Sequence, residues 1–181
     1  MISSETFKRI RAVVLDVDGV LTDGRAGYGA AEEIKFFNMR DGHWMKLAMR
    51  AGLKVGLLSG RGSEANRKRA AELGLSFIYE NCKDKLEGFE RLLAEHGLRP
   101  EECLYIGDDV IDLPVLRRAG VAVAVADAVP ELDEAADFRT QLPGGHGAVY
   151  EAIRRLLIEQ EKLDSVMERY RRSEERRVGK E

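Results

Sequence analysis

Short apolar runs alternate with amphipathic segments along most of the chain. The runs predict buried strands of four or five residues, at positions 12–15, 54–58, 76–79, 102–106 and 121–125. Between them, apolar residues recur at helical spacing, as in the stripe of leucine and phenylalanine within 83–96. An alternation of buried strands and helices predicts an α/β, Rossmann-like fold, with a mainly parallel sheet between layers of helices.

Residues 23–38 depart from this alternation. Three glycines surround Tyr28, and a β-favouring run follows at 34–38. We expect a β-hairpin inserted after the first strand, with its turn near 29–33. A helix is then expected over 40–51, with Asp41 as its N-cap, and one long helix over 148–170.

Composition limits the class of protein. The chain has 181 residues, 44% of them apolar and 34% charged, and a net charge of −3, so no basic excess indicates a nucleic-acid partner. Cys82 and Cys103 lack metal-type spacing and predict reduced thiols in a cytoplasmic protein. We assign one domain to residues 1–164.

The end of the chain is unusual in composition. Residues 165–181 read as a charged tail, and 172–181 show no packing pattern. The last ten residues also match one reading frame of a widely used sequencing-adapter DNA, which favours a library artefact over a solvated helix end. We exclude this segment from functional reasoning.

Polar side chains follow three of the predicted strands. Asp16 and Asp18 come after the first strand, Ser59 after the second, and Asp108 and Asp109 after the fourth. Read alone, Asp16 and Asp18 are as consistent with a polar turn as with a site. Ligands of parallel α/β sheets bind at the carboxyl ends of the strands, so the convergence predicts a site at that edge.

Four segments together resemble the haloacid dehalogenase superfamily of phosphatases. They are Asp-Val-Asp-Gly-Val-Leu-Thr-Asp-Gly from 16, Leu-Leu-Ser-Gly-Arg from 57, Lys85, and Tyr-Ile-Gly-Asp-Asp-Val-Ile-Asp from 105. The resemblance runs from residue 13 to about 125. It implies Mg²⁺ dependence and an aspartyl-phosphate intermediate.

The resemblance also implies roles for the acids of these segments. Asp16 would be the nucleophile, and Asp18 the general acid and base. Mg²⁺ would bind Asp16, the backbone carbonyl of Asp18, and Asp108. Asp109 would be either a water-mediated metal ligand or an orienting or capping group, while Asp112 is expected to be structural, at the start of a helix.

Phosphate contacts are implied at two further motifs. Ser59 would hydrogen-bond a phosphoryl oxygen, together with the backbone N–H of Gly60. Lys85 would stabilise phosphoryl charge, with Lys83 as the alternative. The substrate-binding candidates are Arg61 and Arg40, because guanidinium groups suit a carboxylate and a phosphate.

The intervals between Asp18, Ser59 and Lys85 leave no room for a cap domain. Longer motifs resemble the 3-deoxy-D-manno-octulosonate 8-phosphate phosphatase family over about 12–164, at positions 22–24, 37–42, 107–114, 123–128 and 144–149. That resemblance implies a capless homotetramer in which the hairpin helps assembly and a neighbouring subunit completes the site. It also implies a cytoplasmic role in lipopolysaccharide synthesis.

Two alternatives stay open. His146 stands where the family commonly carries arginine, which leaves a nine-carbon sugar-acid phosphate possible as substrate. The other alternative is a non-catalytic oligomerisation module, against which the complete set of predicted site residues argues.

Overall fold

The computed structural model describes residues 2–30 and 32–178, and only the backbone of 172–178. Its helices and strands, in chain order, are α1 (Ser4–Lys8), β1 (Ala12–Leu15), β2 (Gly27–Tyr28), β3 (Glu33–Ile34), α2 (Met39–Arg50), β4 (Lys54–Leu58), α3 (Glu64–Leu73), β5 (Phe77–Tyr79), α4 (Lys85–His96), β6 (Cys103–Gly107), α5 (Leu113–Leu116), β7 (Val121–Ala124), β8 (Phe138–Arg139), α6 (Ala148–Glu159) and α7 (Leu163–Val178). Short 3₁₀ turns lie at Pro100–Glu102, Val110–Asp112 and Pro130–Glu134.

A six-stranded sheet with the spatial order β5-β4-β1-β6-β7-β8 forms the centre of the fold. Each pairing within it is parallel, so the predicted α/β class is confirmed. The central strand β1 is fully buried, as expected for a strand covered on both faces. Its last residue, Leu15, lies level with Leu57 and Ile106, so the residues that follow β1, β4 and β6 meet at one edge.

Two apolar cores cover the faces of the sheet. On one face α1, α2, α3 and α6 pack against the strands, with Phe7, Met45 and Ile153 fully buried. On the other face α4 and α5 supply Phe89 and Val115. Close packing on both faces holds β1 in place, so the loops after the strands start from fixed points.

The predicted hairpin is present as a separate two-stranded sheet. β2 and β3 pair antiparallel, with Gly27 opposite Ile34 and Tyr28 opposite Glu33. Its apolar side chains face outward: Tyr28 is 81% exposed and Phe36 82%. In the described residues the segments before and after β4 hold no cap domain.

Asn38, not Asp41, caps α2. The Asn38 Oδ1 atom accepts the N–H groups of Arg40 and Asp41 at 2.9 and 3.3 Å. The carboxylate of Asp41 instead accepts the N–H of Tyr150 at 2.8 Å, which ties α2 to the start of α6. The predicted cap was wrong because the helix begins earlier and Asp41 already lies within its first turn.

The predicted single helix over 148–170 is two helices. Glu161 has a φ of 58°, which ends α6. Beside it, the Gln160 amide donates to the carbonyl oxygens of Phe7 and Ile10 at 2.8 and 2.7 Å. The chain therefore turns back, and α7 packs Val166 against the main core, within the predicted tail.

The backbone of α7 runs to Val178, and residues 179–181 lie outside the described residues. The interpretation of 172–181 as adapter-derived therefore stays a prediction. Within the described chain, each helix is too short or too polar to cross a lipid bilayer.

Candidate active site

A cleft of about 220 Å³ opens at the carboxyl ends of β1, β4 and β6. It is lined by Asp16, Asp18, Gly24, Ser59, Gly60, Arg61, Asp108, Asp109 and Ile111. Seven of these residues are predicted site residues. The parallel register of the three strands brings them together, since the polar turns begin within one residue of the same level of the sheet.

A buried ion pair forms the floor of the cleft. The Lys85 Nζ atom lies 2.8 Å from Asp16 Oδ1 and 2.6 Å from Asp112 Oδ1, and the three side chains are at most 5% exposed. Lys85 reaches this point as the first residue of α4, whose N-cap is Asp84. Burial alone would lower the pKa of Lys85, but the two carboxylates outweigh it and the pKa is raised, so the lysine is a stable ammonium.

Asp112 contributes more than the expected helix start. Its carboxylate accepts the hydroxyl of Tyr105 at 2.5 Å and the N–H groups of Asp108 and Asp109 at 2.9 and 3.3 Å. It thereby shapes the loop after β6 and holds Lys85 at the same time. The three-residue spacing between Asp109 and Asp112 is the sequence signal that could have indicated part of this, because it is the spacing of a capping box at the start of a helical turn.

Asp16, Asp108 and Asp112 form an acidic group whose carboxylate oxygens lie within 4.8 Å of one another. Burial, then the charges of Asp16 and Asp112, raises the pKa of Asp108 to about 8. Burial and the charge of Asp112 raise the pKa of Asp16 to about 6, against the opposing effect of Lys85. The negative charge of the group thus exceeds what one lysine compensates.

This group fits a magnesium ion. All its donors are carboxylate oxygens, which Mg²⁺ prefers, and a divalent cation would let Asp16 and Asp108 ionise together. The Oδ1 atom of Asp108 is buried and accepts no hydrogen bond from the described residues. Asp109 lies apart from the group: its carboxylate accepts the N–H of Val110 at 2.7 Å, which is the capping role, and its role as a ligand stays a prediction.

Two glycines allow the loops of the site to approach closely. Gly19 has a φ of +91°, and a Cβ there would lie 1.9 Å from Asp108 Oδ2. A Cβ on Gly144 would lie 1.7 Å from the carbonyl oxygen of Gly19. The glycine-rich loop therefore supports the loop after Asp16 from outside, with Gly145 donating to the carbonyl of Val20 at 2.9 Å.

Ser59 is buried at the wall of the cleft. Its Oγ atom accepts the N–H of Arg61 at 3.3 Å, and its own N–H donates to the carbonyl of Tyr79 at 2.8 Å. The turn after β4 is thus fixed by hydrogen bonds at both ends, with Gly60 between them.

Lys35 of the hairpin also reaches the cleft, which sequence reasoning missed. Its side chain is 1% exposed, and Nζ lies 2.7 Å from Asp18 Oδ1 and 3.8 Å from Glu33 Oε2. Glu33 in turn pairs with Arg61 at 2.5 Å. The alternation from 33 to 36, with charged and apolar residues in turn, is the signal that could have placed Glu33 and Lys35 on one face.

Arg40 is not brought to the cleft. It is exposed near the start of α2, and its guanidinium lies 5.5 Å from the ring centre of Tyr150. The exposed residue His146 lies at a separate depression with Asp23 and Asn38. Substrate binding by Arg40 stays a prediction.

Comparison with known proteins agrees with this geometry. Residues 39–120 match the family model of haloacid dehalogenase-like hydrolases. The chain is 43% identical over 158 residues to the 3-deoxy-D-manno-octulosonate 8-phosphate phosphatase KdsC of Escherichia coli K12, covering 87% of this chain and 84% of that protein.

Solved structures agree as well. The crystal structure of the 3-deoxy-D-manno-octulosonate 8-phosphate phosphatase from Yersinia pestis superposes with a TM-score of 0.86 at 40% identity, covering 89% of this chain and 88% of that one. The enzyme from Moraxella catarrhalis, in complex with magnesium, phosphate and KDO, gives a TM-score of 0.89 at 32% identity and covers 92% and 97%. The chain therefore belongs to the haloacid dehalogenase-like hydrolases, in the family of the KdsC phosphatases.

Proposed function

We propose that this protein is a Mg²⁺-dependent phosphatase that hydrolyses 3-deoxy-D-manno-octulosonate 8-phosphate to KDO and phosphate. The observation that carries the proposal is the buried Asp16–Lys85 pair at the floor of a cleft that Asp18, Ser59 and Asp108 also line. The named substrate of the relatives supports the choice among sugar-acid phosphates.

In the first step a carboxylate oxygen of Asp16 attacks phosphorus, and the bond from phosphorus to the ester oxygen breaks. Asp18 gives its proton to the leaving sugar oxygen, which departs as a hydroxyl. Lys85 stabilises the charge on the transferring phosphoryl group and holds Asp16 in line. The product of this step is an aspartyl phosphate on Asp16.

In the second step a water molecule attacks the phosphorus of the aspartyl phosphate. Asp18, now a carboxylate, takes a proton from that water. The bond between phosphorus and the Asp16 oxygen breaks, which releases inorganic phosphate and restores both acids. One side chain thus serves as acid and then as base, because the cycle returns its proton.

Asp16 and Asp108, with the backbone carbonyl of Asp18, would hold the magnesium ion. When bound, it supplies positive charge that reduces the repulsion between the Asp16 carboxylate and the phosphate dianion. Ser59 and the N–H of Gly60 would bind phosphoryl oxygens, and Arg61 the substrate carboxylate at the mouth of the cleft.

The working form in this proposal is a cytoplasmic homotetramer that serves lipopolysaccharide synthesis. Tyr28, Phe36 and Met39 are 81%, 82% and 72% exposed on and beside the hairpin. A patch of large apolar side chains of this kind is characteristic of an interaction surface. A second copy seated there would cover the open side of the cleft and exclude water from phosphoryl transfer.

A phosphate-release screen tests the substrate. The purified protein is assayed with Mg²⁺ on the eight-carbon sugar-acid phosphate, on a nine-carbon homologue and on simple sugar phosphates. We expect the highest kcat/KM on the eight-carbon substrate. A preference for the nine-carbon substrate would replace the eight-carbon substrate in this proposal. No phosphate release from any of them would support a non-catalytic module.

A further inference from the structure

The hairpin residue Lys35 is held by ionic contacts on two sides. Its ammonium lies 2.7 Å from Asp18 and 3.8 Å from Glu33, and its side chain is 1% exposed. A buried ammonium is costly unless anions pair with it, so these contacts fix its position. Glu33 is itself fixed by Arg61, which comes from the turn after β4.

The Asp18 carboxylate, in contrast, has little else to hold it. Its side chain is 28% exposed, and within the described residues its hydrogen bond is the one it accepts from Lys35. Without that bond the carboxylate would be free to rotate toward solvent. The rest of the site gives Asp16 a comparable anchor in Lys85, so two lysines from different elements each hold one of the two acids.

We infer that Lys35 is a positioning residue that orients Asp18 toward the leaving oxygen of the substrate. This inference rests on the proposed function, since Asp18 acts there on the leaving group. The hairpin then positions a residue of the site as well as covering it. Glu33 completes the device, because it keeps the lysine between two anions.

Leaving-group dependence tests this role. The alkyl ester glycerol phosphate needs its leaving oxygen protonated. The aryl ester p-nitrophenyl phosphate releases a stable anion and does not need this proton. We expect K35M to lower kcat/KM about 10- to 100-fold on the alkyl ester. The loss on the aryl ester should stay below about threefold, since only a misplaced Asp18 separates the two substrates.

K68M is the matched control. Lys68 of α3 also pairs with the hairpin, 3.6 Å from Glu32, but both side chains are more than half exposed and neither lines the cleft. Its removal should change neither ester by more than about twofold. The ratio of the two kcat/KM values in one preparation cancels any inactive fraction. If K35M is not obtained folded, E33Q should shift the same ratio in the same direction by a smaller factor.

An equal loss on both esters in K35M, or no loss on either, would overturn the inference. The choice of esters separates it from the substrate proposal. A wild type that ignores sugar-acid phosphates but hydrolyses glycerol phosphate and p-nitrophenyl phosphate would contradict the proposed substrate, and the role of Lys35 would still be read from those two esters.

Discussion

The ammonium of Lys85 lies 2.8 Å from a carboxylate oxygen of Asp16, and both side chains are at most 5% exposed. Asp112 lies on the other side of the same ammonium, at 2.6 Å. Asp16, the proposed nucleophile, is therefore positioned by a lysine that a second acid positions in turn. A change at Asp112 should therefore alter the position of Asp16 through Lys85, even though Asp112 does not line the cleft.

D112N should therefore destabilise the protein and slow turnover. The change removes charge from hydrogen bonds to Lys85 and to two backbone N–H groups, which should lower the free energy of unfolding by about 1.5–3 kcal/mol. Urea unfolding measures it. D109N is the control, because asparagine caps a helical turn as well as aspartate and should cost less than about 0.5 kcal/mol. Equal costs in the two variants would contradict the account of Asp112.

Magnesium should stabilise the protein more at pH 8 than at pH 6. The pKa values of Asp16 and Asp108 are raised to about 6 and about 8, above their values in the unfolded chain. The contribution of these two carboxyl groups to the stability of the metal-free protein should thus be largest below pH 4. That contribution is lost as the pH rises through 6 and 8. Magnesium binds the deprotonated acids, so its effect grows over the same range.

Thermal unfolding with EDTA or with Mg²⁺ at the two pH values measures this difference. D108N should remove most of the magnesium effect at both. Equal shifts of Tm at pH 6 and pH 8 in the wild type would show that protons and magnesium do not compete at this acidic group.

G144A should distort the loop that follows Asp16, the proposed nucleophile. A Cβ at this position would lie 1.7 Å from the carbonyl oxygen of Gly19, so one of the two loops must move. We expect a loss of about 1–3 kcal/mol in stability and a larger proportional loss of kcat. G60A is the control for stability, because its Cβ would come no closer than 3.7 Å to its neighbours. A fully stable and active G144A would contradict the close packing of the two loops.

The strand ends were predictable because they follow from local pattern and topology. Asp16, Ser59 and Asp108 each come directly after an apolar run, and parallel strands must bring such residues to one edge. The α/β class followed from the same alternation. These predictions needed no knowledge of how distant side chains pack.

The contacts that the sequence did not reveal depend on tertiary packing. Lys35 reaches Asp18 only because the hairpin folds over the cleft. The local sequence at 33–36 does not indicate that the hairpin folds in that direction. The break at Glu161 depends on Gln160 finding the carbonyl oxygens of Phe7 and Ile10, about 150 residues away in the chain. Long-range hydrogen bonds of this kind override helix periodicity.

The alternation of charged and apolar residues from 33 to 36 also bears on assembly. Glu33 and Lys35 point inward with side chains 13% and 1% exposed, while Ile34 and Phe36 are 46% and 82% exposed. F36D should therefore break the proposed tetramer and reduce activity at low protein concentration. Light scattering should give several times the 20.3 kDa chain mass for the wild type and a smaller mass for F36D.

I158D is the control for that experiment. Ile158 is 44% exposed and belongs to α6 rather than to the hairpin, so the charge should not alter the mass. A monomeric wild type with full turnover would rule out a site completed by a neighbouring subunit.

Turnover of 3-deoxy-D-manno-octulosonate 8-phosphate by wild type and D16N, with Mg²⁺ present and the fold verified by circular dichroism, tests the central claim most directly. Because Asp16 forms the covalent bond to phosphorus in the proposed mechanism, we predict that phosphate release by D16N falls by at least about 10³-fold while the assembly is unchanged. Phosphate release by folded D16N within tenfold of the wild type would contradict the assignment of Asp16 as nucleophile.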